Sequence, residues 1–526
     1  MHRFAPRLIV VIALLSASAA AAAGSFSKSY QRIGSFDGTQ LGALVLVPRD
    51  QGPGPFPLVV MPASWSLPNL EYLGRASQMA SDGYVVVSYT SRGFWDSAGR
   101  IDIAGAATVE DVSAVIDWAL AHTPSDPGRI GASGISYGAG TSLLAAGRDS
   151  RIKAVAALSG WGDLQASLYA NQTTSKQGIT LLVAAGTITG RPGPELAQVT
   201  ARALLNDFDG AVNAVLPVAA ERGARSELAH LNANGTAVLL ANSYNDGLFP
   251  PGQYVEFYKG LTGPRQLMFS HGDHATAELP GALGLPNAVY DATVRWFDHH
   301  LKGRANGVPA EPRVKLATPS SGWLGYADWN AVQASPATYV LTKPTGLLVP
   351  TGSLAAAAST GWSHGILTAV PTVADSGVVL VSGLLQGLGL PAVASIPLVN
   401  RSGAAVWTGP TYASKRVLAG SPSLRVTVTP SQSSVSLFAY LYSVDAAGMG
   451  KLLSYKPYSL RNVTARVART VQIDLEATSA EIPAGHRLAL VIDTKDPRYA
   501  DVTSLAGTVS FSSPASAPSQ LLVPLR

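Results

Sequence analysis

A chain of 526 residues that is 47% hydrophobic and 13% charged can bury a large core, and its 52 glycines and 35 prolines suit a turn-rich globular protein rather than a disordered or coiled-coil one. The formal charge of +5, from 38 basic and 33 acidic residues, is small for this length and comes with no Lys/Arg stripe, which argues against a nucleic-acid partner. With no cysteine, disulfides, thiolate catalysis and Cys-ligated metals are all excluded.

Residues 1–23 read as a signal peptide: Arg3 and Arg7 precede a short apolar run, Leu8 to Leu15, and the small residues Ser16 to Gly24 offer cleavage sites near Ala21 or Ala23. The expectation is a secreted or periplasmic protein, with an uncleaved N-terminal anchor as the alternative and no further membrane contact. Residues 24–305 then alternate strand and helix patterns. Apolar, β-branched runs at Leu58–Met61, Tyr84–Tyr89, Arg129–Gly134, Lys153–Leu158, Thr236–Ala241 and Arg265–Phe269 predict strands. Val109, Val112, Val115, Ile116, Ala119 and Leu120, at spacings of three and four, predict a helix, as does Asp291–Leu301. Such alternation implies a mainly parallel sheet covered on both faces. Residues 164–228 interrupt it with helical segments such as Glu195–Leu205 and Ala211–Glu221, and are expected to form a cap. From about residue 306 to 526 helical periodicity fades. Short β-type runs recur at Thr338–Leu341, Ser423–Val428, Ser434–Leu441, Thr470–Leu475 and Leu488–Ile492, separated by Gly, Pro, Ser and Asn, which predicts an all-β sandwich.

Gly134-Ile135-Ser136-Tyr137-Gly138 matches G-x-S-x-G. By chance alone a chain this size carries about 0.4 copies of that motif, so context decides. Ser136 stands between a predicted strand and an Ala/Leu-rich helical stretch, as a nucleophile on a tight strand-to-helix turn requires. The second copy, Gly361-Trp362-Ser363-His364-Gly365, lies in the β-rich half with no suitable acid and base after it and is expected to be fortuitous. A serine hydroxyl needs an imidazole to take its proton and a carboxylate to orient the imidazole. His274, in Phe269-Ser270-His271-Gly272-Asp273-His274-Ala275 directly after a predicted strand, is the candidate base, with His271 as the alternative. Asp246, beside Gly247 in the loop after Thr236–Ala241, is the candidate acid; Asp207 and Asp209 are fallbacks, and Asp273 is expected to shape its loop. The oxyanion donors are expected to be the N–H of Tyr137 and, from the loop after Leu58–Met61, the N–H of Trp65, with Ser64 next.

These residues resemble the peptidase S15 family, the X-prolyl dipeptidyl-peptidase and cocaine-esterase group also called CocE/NonD hydrolases. The matching stretches are Met61-Pro62-Ala63-Ser64-Trp65, Ser91-Arg92-Gly93-Phe94-Trp95-Asp96-Ser97, Gly134 to Gly140, Asn245-Asp246-Gly247-Leu248-Phe249-Pro250, His271 to His274 and Trp296 to Gly303. The resemblance implies an α/β-hydrolase fold with an inserted helical cap, a triad of Ser136, Asp246 and His274, and a C-terminal jelly roll, to which Gly420-Ser421-Pro422-Ser423-Leu424 fits as a strand start. The chain departs from the family where well-known members place a tyrosine whose hydroxyl helps form the oxyanion hole; Ser64-Trp65 stands there, and a backbone or indole N–H would have to substitute.

Two functions follow as expectations. The first is hydrolysis of an ester or amide of a small-molecule or peptide substrate through an acyl-Ser136 intermediate, with no cofactor and no metal. For X-Pro dipeptidyl cleavage, an anionic partner for the substrate amine would come from Glu195, Asp207 or Asp209. The second is a non-catalytic carbohydrate- or polymer-binding protein, with Trp323, Trp329, Trp362 and Trp407 as candidate platforms.

Overall fold

A computed structural model describes residues 26–320, 322–357, 359–503 and 506–526, so the signal-peptide expectation for residues 1–23 lies outside the described residues. The N-terminal half is built on a ten-stranded sheet. Its strands are β1 (Phe26–Gly34), β2 (Gln40–Pro48), β3 (Phe56–Pro62), β4 (Val85–Tyr89), β5 (Ser125–Ile135), β6 (Ile152–Leu158), β7 (Ala237–Ser243), β8 (Arg265–Ser270), β9 (Val314–Thr318) and β10 (Gly322–Tyr326). Their spatial order is β1-β2-β4-β3-β5-β6-β7-β8-β9-β10. Pairing from β4 through β9 is parallel, and β1–β2, β2–β4 and β9–β10 are antiparallel.

The buried runs of β3, β4, β6 and β7 show no polar alternation because both faces are covered. One face is covered by α1 (Leu73–Ser81) and the helix Ala288–Lys302, through Ala76, Met79, Trp296, Phe297 and Leu301. The second of these starts on Asn287, whose side chain accepts the N–H groups of Val289 and Tyr290, and stops at Gly303 with φ +66°. On the other face, Val109, Val112, Val115 and Ile116 of α2 (Ala106–His122) join Leu143 and Leu144 of α3 (Tyr137–Arg148) in one cluster with Leu58, Val60, Val87, Ile130 and Val155 of the sheet.

Each strand run read from the sequence lies within an observed strand or overlaps it by all but a residue. The β1–β2 hairpin has no counterpart among those runs. The first sheet does not end at the expected domain division of residues 305/306. β9 and β10 lie beyond it yet extend the sheet, because β9 pairs in parallel with β8 from Leu267↔Val314 to Phe269↔Leu316. Helices fill the segment between β6 and β7. The single helix expected over Ala211–Glu221 is two, Phe208–Asn213 and Leu216–Ala219, because Pro217 has no N–H to continue the ladder.

The C-terminal half is β-rich. Twelve strands form one hydrogen-bonded network whose inner faces enclose Leu424, Val426, Leu437, Leu441, Leu490 and Phe511. Strands Val435–Val444 and Arg487–Asp493 are buried on their other face too, where Phe438, Tyr440 and Val491 meet Ile396 and Tyr499. Ser363 pairs with Ser512 in a regular antiparallel ladder, so the second G-x-S-x-G copy forms a strand and no turn.

Arg92 fastens the loop after β4. Its Nε and Nη2 donate to Asp111 of α2 at 2.7 and 2.5 Å, its Nη1 donates to Asp37 at 3.0 Å, and Arg92 and Asp111 are both buried. Arg92→Ala leaves Asp111 buried without its counter-charge. It is expected to destabilise the N-terminal half by about 3–5 kcal/mol, read as a lower urea midpoint of the corresponding unfolding transition.

Candidate active site

The carboxyl ends of β5, β7 and β8 bring three distant side chains to one rim of the sheet. Ser136 sits on the turn from β5 into α3 with φ +55° and ψ −116°, a left-handed conformation that strains any residue with a Cβ. The flanking glycines permit it: a Cβ on Gly134 would fall 2.5 Å from the backbone of Gly138, and one on Gly138 would fall 2.1 Å from the carbonyl oxygen of Pro62.

Nε2 of His274 lies 2.8 Å from Oγ of Ser136, and Nδ1 of His274 lies 2.9 Å from Oδ2 of Asp246. All three residues are buried. The other carboxylate oxygen of Asp246 accepts the N–H groups of Leu248 and Phe249 at 2.9 and 2.7 Å, which holds it still. Burial alone would lower the His274 pKa, but the Asp246 carboxylate and its hydrogen bond outweigh it and raise the pKa above the ordinary value. The set can therefore take a proton from the Ser136 hydroxyl and keep the resulting imidazolium stable.

His271, the alternative base, instead packs its ring edge-on against Tyr244 at 5.1 Å. Asp207 caps the helix Phe208–Asn213, and Asp209 accepts both Nη1 and Nη2 of Arg461 at 2.8 Å, so neither joins His274. Asp273 does more than shape its loop. Its Oδ1 accepts the N–H of Gly247 (2.8 Å) and of His274 (2.7 Å), tying the acid-bearing loop to the base-bearing one, while Oδ2 accepts the N–H of Gly383 from the C-terminal half at 3.3 Å.

Of the expected oxyanion donors, Tyr137 opens α3, so its N–H has no acceptor within the helix. Trp65 is the second residue of a turn closed by the N–H of Leu67 on the carbonyl of Ser64, and its own N–H has no hydrogen-bond partner among the described residues. Its indole N–H donates to the carbonyl of Leu182 at 3.0 Å, which removes the indole from consideration. The Ser64 expectation is corrected: its N–H donates to Oε2 of Glu71 at 2.8 Å and is already committed, because a buried donor must be satisfied. Sequence reasoning missed Glu71 and Glu278. Both are buried beside His274, and burial pushes each carboxyl up to about 7. No local motif marks either residue.

Ser136 opens into an apolar cavity between the sheet and the helices of residues 164–219. Trp65, Tyr137, Trp161 and Phe249 wall one side; Ile179, Leu182, Val183, Leu196 and Val199 wall the other, and no charged residue among those described lines it. The carboxylates considered as amine anchors are engaged elsewhere: Glu195 pairs with Arg222 at 3.1 Å, Asp207 with Arg202 at 3.0 Å, and Asp209 with Arg461.

A hydrolase-type α/β domain followed by a large β-rich domain is the class that this fold and site define. The X-Pro dipeptidyl-peptidase (S15 family) model matches residues 37–276, and the X-Pro dipeptidyl-peptidase C-terminal non-catalytic domain model matches residues 306–517. The chain belongs to the peptidase S15 family. Among solved structures it is similar to an aminopeptidase from a marine sediment Thaumarchaeota archaeon, with a TM-score of 0.73 at 16% identity over 95% of this chain and 96% of that one. A CocE/NonD family hydrolase from Staphylococcus aureus gives 0.70 at 16% identity over 97% and 98%. An α-amino acid ester hydrolase gives 0.72 at 15% identity over 96% and 97%. No curated protein matches the sequence.

Asp246→Asn removes the charge that raises the His274 pKa and leaves the burial that lowers it. The imidazole is expected to titrate below its ordinary value of 6.5 in the variant and above it in the wild type, measured by NMR of the His274 ring.

Proposed function

We propose that this protein is an exported serine hydrolase that cleaves esters or amides of an uncharged, apolar acyl group through an acyl-Ser136 intermediate. The observation that carries the reading is the unbroken line from hydroxyl to imidazole to carboxylate, 2.8 and 2.9 Å long. Oγ of Ser136 attacks the substrate carbonyl carbon as its proton passes to Nε2 of His274. The imidazolium returns that proton to the departing alcohol or amine, and water, deprotonated by the same imidazole, then releases the acid and restores Ser136. The N–H groups of Tyr137 and Trp65 stabilise the oxyanion.

The apolar cavity supports acyl esters over substrates bearing a free amine, since Glu195, Asp207 and Asp209 of the cap are paired with arginines. X-Pro dipeptidyl cleavage stays the second reading because the family model bears that description. We read the β-rich half as a jelly roll. A carbohydrate platform there is disfavoured, because Trp329, Trp362 and Trp407 are buried and the exposed Trp323 lies on β10, the edge strand of the first sheet. Export rests on the character of residues 1–23.

A fluorophosphonate probe is expected to label the wild type and to leave Ser136→Ala unlabelled, with kcat on the best substrate falling about 10⁶-fold in the variant. Short acyl esters should turn over in preference to proline-ended dipeptide anilides. Cleavage of the anilides with no ester turnover would reverse the substrate assignment, and an unlabelled wild type would end the hydrolase reading.

A further inference from the structure

Ser64 has one hydroxyl hydrogen and faces two oxygens. Its Oγ lies 2.6 Å from Oε1 of Glu71 and 2.9 Å from the carbonyl oxygen of Ile135, while its N–H donates to Oε2 of the same carboxyl at 2.8 Å. The Ile135 carbonyl can only accept. An ionised Glu71 also only accepts, so one of the two short Oγ contacts would then set lone pair against lone pair. A protonated Glu71 satisfies every group: Oε1–H donates to Ser64 Oγ, the Ser64 hydroxyl donates to Ile135, and the Ser64 N–H donates to Oε2.

We propose that Glu71 works as a neutral carboxylic acid and is a positioning residue. Through Ser64 it locks the turn bearing the Trp65 N–H to the end of the strand that delivers Ser136, and its ionisation disarms the site at alkaline pH. Ser64 directly precedes Trp65 and Ile135 directly precedes Ser136, so the relay sets the spacing between oxyanion donor and nucleophile. Tyr72 adds a parallel tie, accepting the Ile135 N–H at 2.8 Å and donating to the Pro62 carbonyl at 3.3 Å.

Burial pushes Glu71 up to about 7, against the pull of Ser64 and Tyr72 toward the charged form. Tyr72 from its own segment and Tyr290 from the helix Ala288–Lys302 are uncharged neighbours, and Arg75 lies over the Tyr290 ring at 5.0 Å. Glu278, from the segment after β8, acts electrostatically on Tyr290 as well. His274, when protonated, favours Glu71 ionisation. That attraction is gone in the working form, in which His274 is neutral.

The inference rests on the acyl-serine reading, and the test separates the two. The profile of kcat/KM against pH is measured for wild type, E71Q and E71A on an ester that the wild type hydrolyses, beside fluorophosphonate labelling and infrared spectra of each protein. The wild type should rise as His274 loses its proton and fall as Glu71 loses its own. In E71Q the amide still donates to Ser64 Oγ and accepts the Ser64 N–H; the acid limb should persist and the alkaline fall should vanish. E71A should lose about 10²-fold at every pH, and E71Q should recover most of that loss. The wild-type spectrum near neutrality should contain a protonated carboxylic-acid band that E71Q lacks. A labelled wild type without an alkaline fall, or an E71Q profile that keeps it, overturns the inference. If the wild type is neither labelled nor active, the acyl-serine reading fails, and the infrared band still decides the protonation of Glu71: its absence overturns the proposal.

Discussion

The structure depends on a single imidazole held between a hydroxyl and a carboxylate that lie far apart along the chain. Hydrogen bonds of this kind tolerate errors of only a few tenths of an ångström. The parallel sheet supplies that precision by delivering the loops after β5, β7 and β8 to the same rim, and the loops are then cross-braced. Asp273 ties the second loop to the third, the Ser136 N–H bonds to the carbonyl of Leu158, and Gly138 lets α3 approach Pro62. The hydrogen-bonded braces join buried polar groups to one another, so the elements cannot move independently without leaving a donor or acceptor bare.

The electrostatics follow from the same burial. Four carboxyl groups, Glu71, Asp246, Asp273 and Glu278, are buried around one imidazole. Asp246 is matched to His274 and to two backbone N–H groups, whereas burial raises the pKa of each of the other three. Asp246 is thus the carboxylate fixed directly against the imidazole, while burial shifts the other three toward their uncharged forms. On the substrate side the cavity is lined almost wholly by apolar side chains.

The β-rich half takes part in holding the site. Gly383 bonds to Asp273, Glu476 accepts the N–H of Gly252 at 2.8 Å, Arg461 grips Asp209 in the cap, and the Val379 N–H donates to Gln177 at 3.0 Å. These contacts reach the base loop, the helix after the acid loop and the cap, which gives the second domain a share in the geometry around Ser136.

The amino-acid sequence alone determined the succession of strands and helices, the turn at Ser136 and the placing of Asp246 and His274 in loops after strands, because these are written in local periodicity, in glycine spacing and in position after a strand. It also favoured His274 over His271, through the loop context that Gly272 creates. What only the tertiary structure decided was every property that belongs to a meeting of distant segments. The hydrolase sheet runs on through Tyr326 because β9 finds its partner in β8; Ser64 is removed as an oxyanion donor because Glu71 reaches it; and the cap carboxylates are spent on Arg202, Arg222 and Arg461. Hydrogen-bond satisfaction and charge pairing are pairwise and non-local, so no periodicity along the chain encodes them.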